Sequence, residues 1–170
     1  GLGQFGPARK GFSEAERTLR SNPDAARSGY LERALRTYRS FDAINQREWE
    51  RALKELNAIT QETRPLSNPV VLSSVNRDTE KSKVNGISLT DKNQYNWLVL
   101  DVQQDYARSV ALLGLNRFDE SRAAIYAADG AIETFRVLDQ VAQPASINWL
   151  RARVQVQIAR IEALAKNNAA

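Results

Sequence analysis

The sequence predicts an all-α protein built from antiparallel helix-turn-helix hairpins, on three observations. Apolar residues recur three or four apart over most of the chain, capping and breaking residues divide those stretches into helix-length pieces, and only the stretch 61–90 interrupts the pattern. The 170 residues are 42% hydrophobic and 26% charged, a composition that supports one folded domain over 1–170 rather than disorder.

Taken in order, Ser13 and Glu16 have capping-box spacing, and Asn22-Pro23-Asp24 supplies an N-cap, a first-turn proline and an acid near the positive helix end. A helix is expected from about Pro23 to Ile44, with Leu31, Ala34, Leu35, Tyr38, Phe41 and Asp42 on its core stripe. Trp49, Ala52, Leu53, Leu56 and Ile59 mark the next, which ends before Pro65 and completes a hairpin. Pro65, Asn68-Pro69, Ser73-Ser74 and Asn85-Gly86 then make 61–90 an irregular insert, in which Val70 to Leu72 and Val84 to Leu89 are candidates for short extended pieces or a brief helix. Helix resumes after Thr90-Asp91 with Leu98, Val102, Tyr106, Val110 and Leu113 on one face, and Gly114 and Asn116 permit a turn. Phe118, Ile125, Ala128, Ile132, Phe135 and Leu138 define the following helix, which stops before Pro144. The last runs from about Ser146 with Leu150, Val154, Ile158, Ile161 and Leu164 inward. Three long helices are thus expected over 91–166.

The net charge of +4 arises from 24 basic and 20 acidic side chains that are interleaved along the chain, unlike the clustered cations of a nucleic-acid surface. Arg33, Arg36 and Arg39 come nearest to a cluster and read as a solvated helix face. No nucleic-acid partner is expected. No apolar run is long enough to span a membrane and no secretory leader is visible. With no cysteine, the compartment is unreadable. The opening Gly1-Leu2-Gly3 and the absence of methionine suggest a processed form or an excerpt.

One phrase recurs. Phe118-Asp119-Glu120-Ser121-Arg122-Ala123-Ala124-Ile125 places an aromatic three residues before a small residue, and the arrangement returns at Trp49 to Leu56 and at Phe12 to Leu19. The anchors Phe12, Trp49 and Phe118 lie 37 and 69 residues apart, close to one and two periods of about 34. The phrase resembles the second-helix start of a tetratricopeptide repeat, over about 12–60 and 95–166. The first-helix pattern of that family is poorly met, because Asp105, Arg108 and Ser109 occupy its tryptophan, leucine and glycine slots. The resemblance implies hairpins stacked as a right-handed solenoid. In texture, though without a diagnostic motif, it is similar to the helical repeats of larger bacterial multidomain proteins, such as those preceding a caspase-related protease-like domain or attached to sensor kinases. It also implies that the first copy lacks its partner helix, so self-association through an incomplete N-terminal repeat is expected to be open to the chain.

Chemistry is bounded by absences. Without histidine or cysteine there is no Ser-His-Asp or Cys-His site, and no nucleotide-binding glycine motif occurs. Asp101 and Asp105, one helical turn apart, are the strongest acid or metal candidates, although paired acids are common on solvated helices. No enzyme activity, metal or cofactor is expected. The expected function is non-catalytic binding of a protein or peptide, as a scaffold or regulatory arm, with Thr37, Phe41, Asn45, Gln103 and Tyr106 lining the groove. Two other readings stay open: a closed bundle with a small-ligand sensor pocket lined by Trp97, Tyr106 and Trp149, and an acidic site at Asp101 and Asp105.

Overall fold

The computed structural model describes residues 5–21, 29–59, 83–84, 87–88, 92–138 and 145–168, and the chain they form is all-helical apart from one minimal strand pair. Six helices follow in order: α1 (Phe5–Ser21), α2 (Tyr30–Asn45), α3 (Trp49–Asn57), α4 (Lys92–Gly114), α5 (Phe118–Leu138) and α6 (Ala145–Asn168). Between α3 and α4, the two-residue strands β1 (Lys83–Val84) and β2 (Ile87–Ser88) pair antiparallel, with Val84 opposite Ile87. The rest of the 61–90 insert, and Asn22 with residues 23–28 of the helix expected from Pro23, lie outside the described residues.

Helix α1 starts earlier than its capping-box signal. Ser13 sits mid-helix, its hydroxyl donating to the Arg9 carbonyl one turn back instead of capping an N-terminus. Pro7 falls in the first turn, where its missing N–H costs nothing.

The two hairpin turns are copies of one another, bond for bond. After α2, Glu48 N–H donates to Ala43 O (2.9 Å) and Arg47 N–H to Ile44 O (2.9 Å), while Arg47 takes φ 61°. After α4, Arg117 N–H donates to Leu112 O (2.9 Å) and Asn116 N–H to Leu113 O (3.0 Å), while Asn116 takes φ 60°. Each is a Schellman ending, in which one left-handed residue satisfies the last carbonyls and turns the chain back. Each next helix then starts alike, with Ala52 N–H bonded to Glu48 O (3.0 Å) and Ser121 N–H to Arg117 O (2.9 Å). Every partner in one turn lies 69 residues from its counterpart in the other, the spacing of Trp49 and Phe118 in the sequence.

Small residues let the paired helices approach. Ser109 and Ser121 are both fully buried, their hydroxyls 3.1 Å apart, and the Ser121 hydroxyl donates to the Ser109 carbonyl at 2.8 Å. Ala43 and Ala52 are fully buried in the first hairpin. A methyl group added at Gly114 would stand 2.5 Å from Trp49 Cε2 and 2.9 Å from Cε3, so the indole seals the joint between the hairpins only because that position has no side chain.

Two apolar clusters result. Val102, Leu113, Ile125, Ala128, Ile132, Leu150, Val154 and Ile161 pack α4, α5 and α6 together, and Ala43, Ala52, Leu53, Ala111, Leu112 and Ala124 join the first hairpin to the second. Each helix packs on the next from α1 to α6, except that the irregular insert separates α3 from α4 in sequence and not in space. In addition α2 touches α4, and α4 touches α6. Among the described residues α1 has a substantial contact with α2 alone, and α2 has none with α6. No described helix is long and apolar enough to cross a membrane.

Candidate binding surface

Three helices, α2, α4 and α6, lie side by side, and a strip of aromatic and cationic side chains crosses them. On α2, Leu31, Ala34, Tyr38, Phe41 and Asn45 are spaced three or four apart and so share one face. Tyr38 is 51% exposed and Leu31 46%, and Phe41 is half-buried. The Phe41 ring lies 6.3 Å from that of Tyr106 on α4, tilted by 35°. From α6, the Arg153 guanidinium stands 5.3 Å from the Tyr106 ring centre and 4.4 Å from that of Trp149, and Trp149 is 57% exposed. The strip therefore runs Phe41, Tyr106, Arg153, Trp149 across three helices. Arg153 stacks between two rings, an attraction worth about 0.5–1 kcal/mol for each exposed contact, and among the described residues it has no carboxylate partner.

Of the groove residues expected from sequence, Phe41 and Tyr106 are brought together, Gln103 is half-buried one turn before Tyr106, and Asn45 is exposed at the end of α2. Thr37 lies elsewhere. It is fully buried between α2 and α4, where its hydroxyl donates to the Arg33 carbonyl (2.8 Å) and accepts from Gln104 Nε2 (2.9 Å). Arg153 was not among the expected residues. Its signal is the four-residue spacing from Trp149, which places the two on one face of a helix.

Arg33, Arg36 and Arg39 do not form a solvated face. At 3.6 residues per turn, side chains three apart fan out by about 60°, so each arginine reaches a different neighbour. Arg33, 2% exposed, pairs with Asp101 of α4, donates to Gln104 Oε1 (2.6 and 3.0 Å) and lies 5.3 Å from the Trp97 ring centre. Arg36 reaches Glu55 of α3 at 3.4 Å, and Arg39 reaches Glu16 of α1 at 2.8 Å. Arg39 first, and Arg20 with it, hold the Glu16 carboxyl below the usual carboxylate range.

Asp101 is therefore occupied by Arg33, and among the described residues no three acidic side chains converge on a cation-sized space. Trp97 packs edge-on to Tyr30, 5.1 Å between ring centres, beneath Arg33, while Trp149 stands out on α6.

A second open feature adjoins the strip. Gly11, Phe12, Ala15, Thr18 and Leu19 of α1 face Leu31, Leu35 and Tyr38 of α2 across an apolar cleft of about 520 Å³. Tyr38 and Leu31 belong both to this cleft and to the face that carries Phe41.

Compared with known protein families, characterised proteins and solved structures, the chain matches none.

Proposed function

We propose that the chain is a non-catalytic binding module of tetratricopeptide-like, right-handed helical stacking, which holds a protein or peptide segment across α2, α4 and α6. The observation that carries this reading is the aromatic–arginine strip itself. Phe41, Tyr106, Arg153 and Trp149 come from three different helices, form one continuous strip that is half-buried at Phe41 and Tyr106 and exposed at Arg153 and Trp149, and are the residue types that dominate binding energy at protein interfaces.

Three further features support the stacked arrangement. The hairpin turns repeat at 69 residues, the small residues of the recurring phrase, Ala52 and Ser121, are fully buried, and α1 and α6 are separated by the helices between them, unlike the ends of a closed bundle. Mixed rings, amides and a cation suit a peptide, whose backbone offers carbonyls to Arg153 and Gln103 and whose side chains fill gaps between the rings.

The test is to select peptides from a random display library on the purified chain and to measure the selected sequences by calorimetry. Tyr106→Ala and Phe41→Ala, checked for folding by circular dichroism, are each expected to weaken binding by tenfold or more, about 1.4 kcal/mol. Selected peptides that bind both folded variants as well as the parent chain would reject the strip as the site.

A further inference from the structure

Charge is distributed unevenly around the aromatic–arginine strip. Each of α1, α2, α3 and α5 has an arginine paired with a carboxylate: Arg20 with Glu16 at 2.9 Å, Arg39 with Glu16 at 2.8 Å, Arg51 with Asp42 at 3.5 Å and Arg122 with Glu162 at 2.8 Å. Arg153 meets two rings instead, and among the described residues no carboxylate. Its place is set from within the fold, because the guanidinium lies over Tyr106 of the central helix α4.

The helix faces beside it do not answer that charge. Tyr38, Phe41 and Asn45 on α2 and Gln103, Tyr106 and Val110 on α4 are all uncharged. The carboxylates of α4 lie on another side of that helix, since Asp101 and Asp105 are roughly 100° or more around its axis from Tyr106, and Asp101 is taken by Arg33. Arg160, seven residues after Arg153 and so about 10 Å along the same face of α6, is exposed and adds a charge of the same sign. The strip is cationic in a chain whose charges are otherwise interleaved.

We infer that the segment held across α2, α4 and α6 is acidic: an extended peptide with an Asp or Glu side chain paired to Arg153 and an apolar residue against Phe41 and Tyr106. This rests on the binding strip proposed above and names the chemistry of its partner. An arginine beside rings is partly shielded from water, and its planar fork of donors matches a carboxylate with two parallel hydrogen bonds. A neutral segment forgoes that pair, and a basic one is repelled by Arg153 and Arg160 together. Complementary charge of this kind sets which partner is accepted, while the rings supply the contact area.

The experiment pans two libraries of end-capped peptides against the full chain, identical except that one carries Glu wherever the other carries Gln. Capping removes the terminal charges, so a side-chain carboxylate is the acid offered. Selected Glu peptides and their Gln counterparts are then measured by calorimetry. Each Glu peptide should bind tenfold or more tighter, about 1.4 kcal/mol, and the gap should narrow as salt is added. Arg153→Gln, at an exposed position where circular dichroism should report an unchanged fold, should abolish the gap. Arg153→Lys keeps the charge without the paired donors and should retain part of it. Equal affinity of Glu and Gln peptides for the parent chain, or a gap that survives Arg153→Gln, would overturn the inference; if both peptides are then lost on Tyr106→Ala, the strip stands without an acidic partner. Libraries that yield no binder sensitive to Tyr106→Ala would overturn the strip and the inference together. Tighter binding of a single-stranded oligonucleotide, lost with Arg153→Gln, would assign the cation to phosphate and overturn the inference as well.

Discussion

A shift of 69 residues carries the α2–α3 hairpin onto α4–α5. The turns superpose bond for bond, Ser40 becomes Ser109 and Ala52 becomes Ser121, and all four are fully buried. The same shift turns Arg33 into Val102, Thr37 into Tyr106 and Asn45 into Gly114. Backbone path and closest approach are therefore held constant, while the side chains facing the next hairpin differ in charge, polarity and size. Arg33 and Val102 are both buried, but the first meets Asp101 and Gln104 and the second meets an apolar cluster that includes Leu150, Val154 and Ile161. One joint is specified by a polar network, the other by packing.

Exchanging residues between the joints should break the comparison most sharply. Val102→Arg places a charge where the surrounding cluster is apolar, and chemical denaturation should show a loss of about 4 kcal/mol or no folded state. The reverse change, Arg33→Val, strands the half-buried Asp101 and the buried Gln104, at an expected cost of about 2–3 kcal/mol, less because Asp101 can still reach water. Pairing it with Asp101→Val should recover part of that loss. If Arg33→Val alone leaves the denaturation midpoint unchanged, the network contributes nothing to the joint.

A smaller effect is expected at the end of the first helix of each hairpin. Gly114→Ala must displace the Trp49 indole and should cost about 1–2 kcal/mol, net of the better helix propensity of alanine. Asn45→Ala, its exposed counterpart, should stay within about 0.5 kcal/mol. Equal thermal shifts for the pair would mean that the indole does not fix the joint.

Much of the second half was legible in the sequence because its signals agree. Leu150, Val154 and Ile161 are buried as their periodicity indicates, and Gly114, Asn116 and Phe118 mark the turn where it occurs. Helix α2 was misread in part. It has neighbours on three sides, so its buried positions include Arg33, Thr37 and Ser40 beside the expected Leu35 and Asp42, while Leu31 and Tyr38 of the expected core stripe are largely exposed. A hydrophobicity count cannot find a buried face made of a hydrogen-bonded arginine, threonine and serine. Helix α4 is also buried on more than the one expected stripe, since Leu100, Ala107, Ala111 and Leu112 are buried in addition to the expected Val102 and Leu113. Phe41 and Tyr106 meet although the 69-residue shift pairs Phe41 with Val110 and Tyr106 with the buried Thr37, and Arg153 depends on how α6 lies against α4, which spacing along one helix does not reveal.

The most direct test of an open helical stack is the distance between its outer helices. The chain has no cysteine, so exposed Arg17 on α1 and Arg160 on α6 can each be replaced by a spin-labelled cysteine, and the doubly labelled chain diluted with unlabelled protein to remove signals between copies. Three steps of 8–10 Å, from α1 through α2 and α4 to α6, predict a pulsed electron–electron distance of about 25–30 Å or more. A distribution centred near the roughly 10 Å of adjacent helices would mean that α6 closes onto α1, and would contradict the open stack on which the binding strip depends.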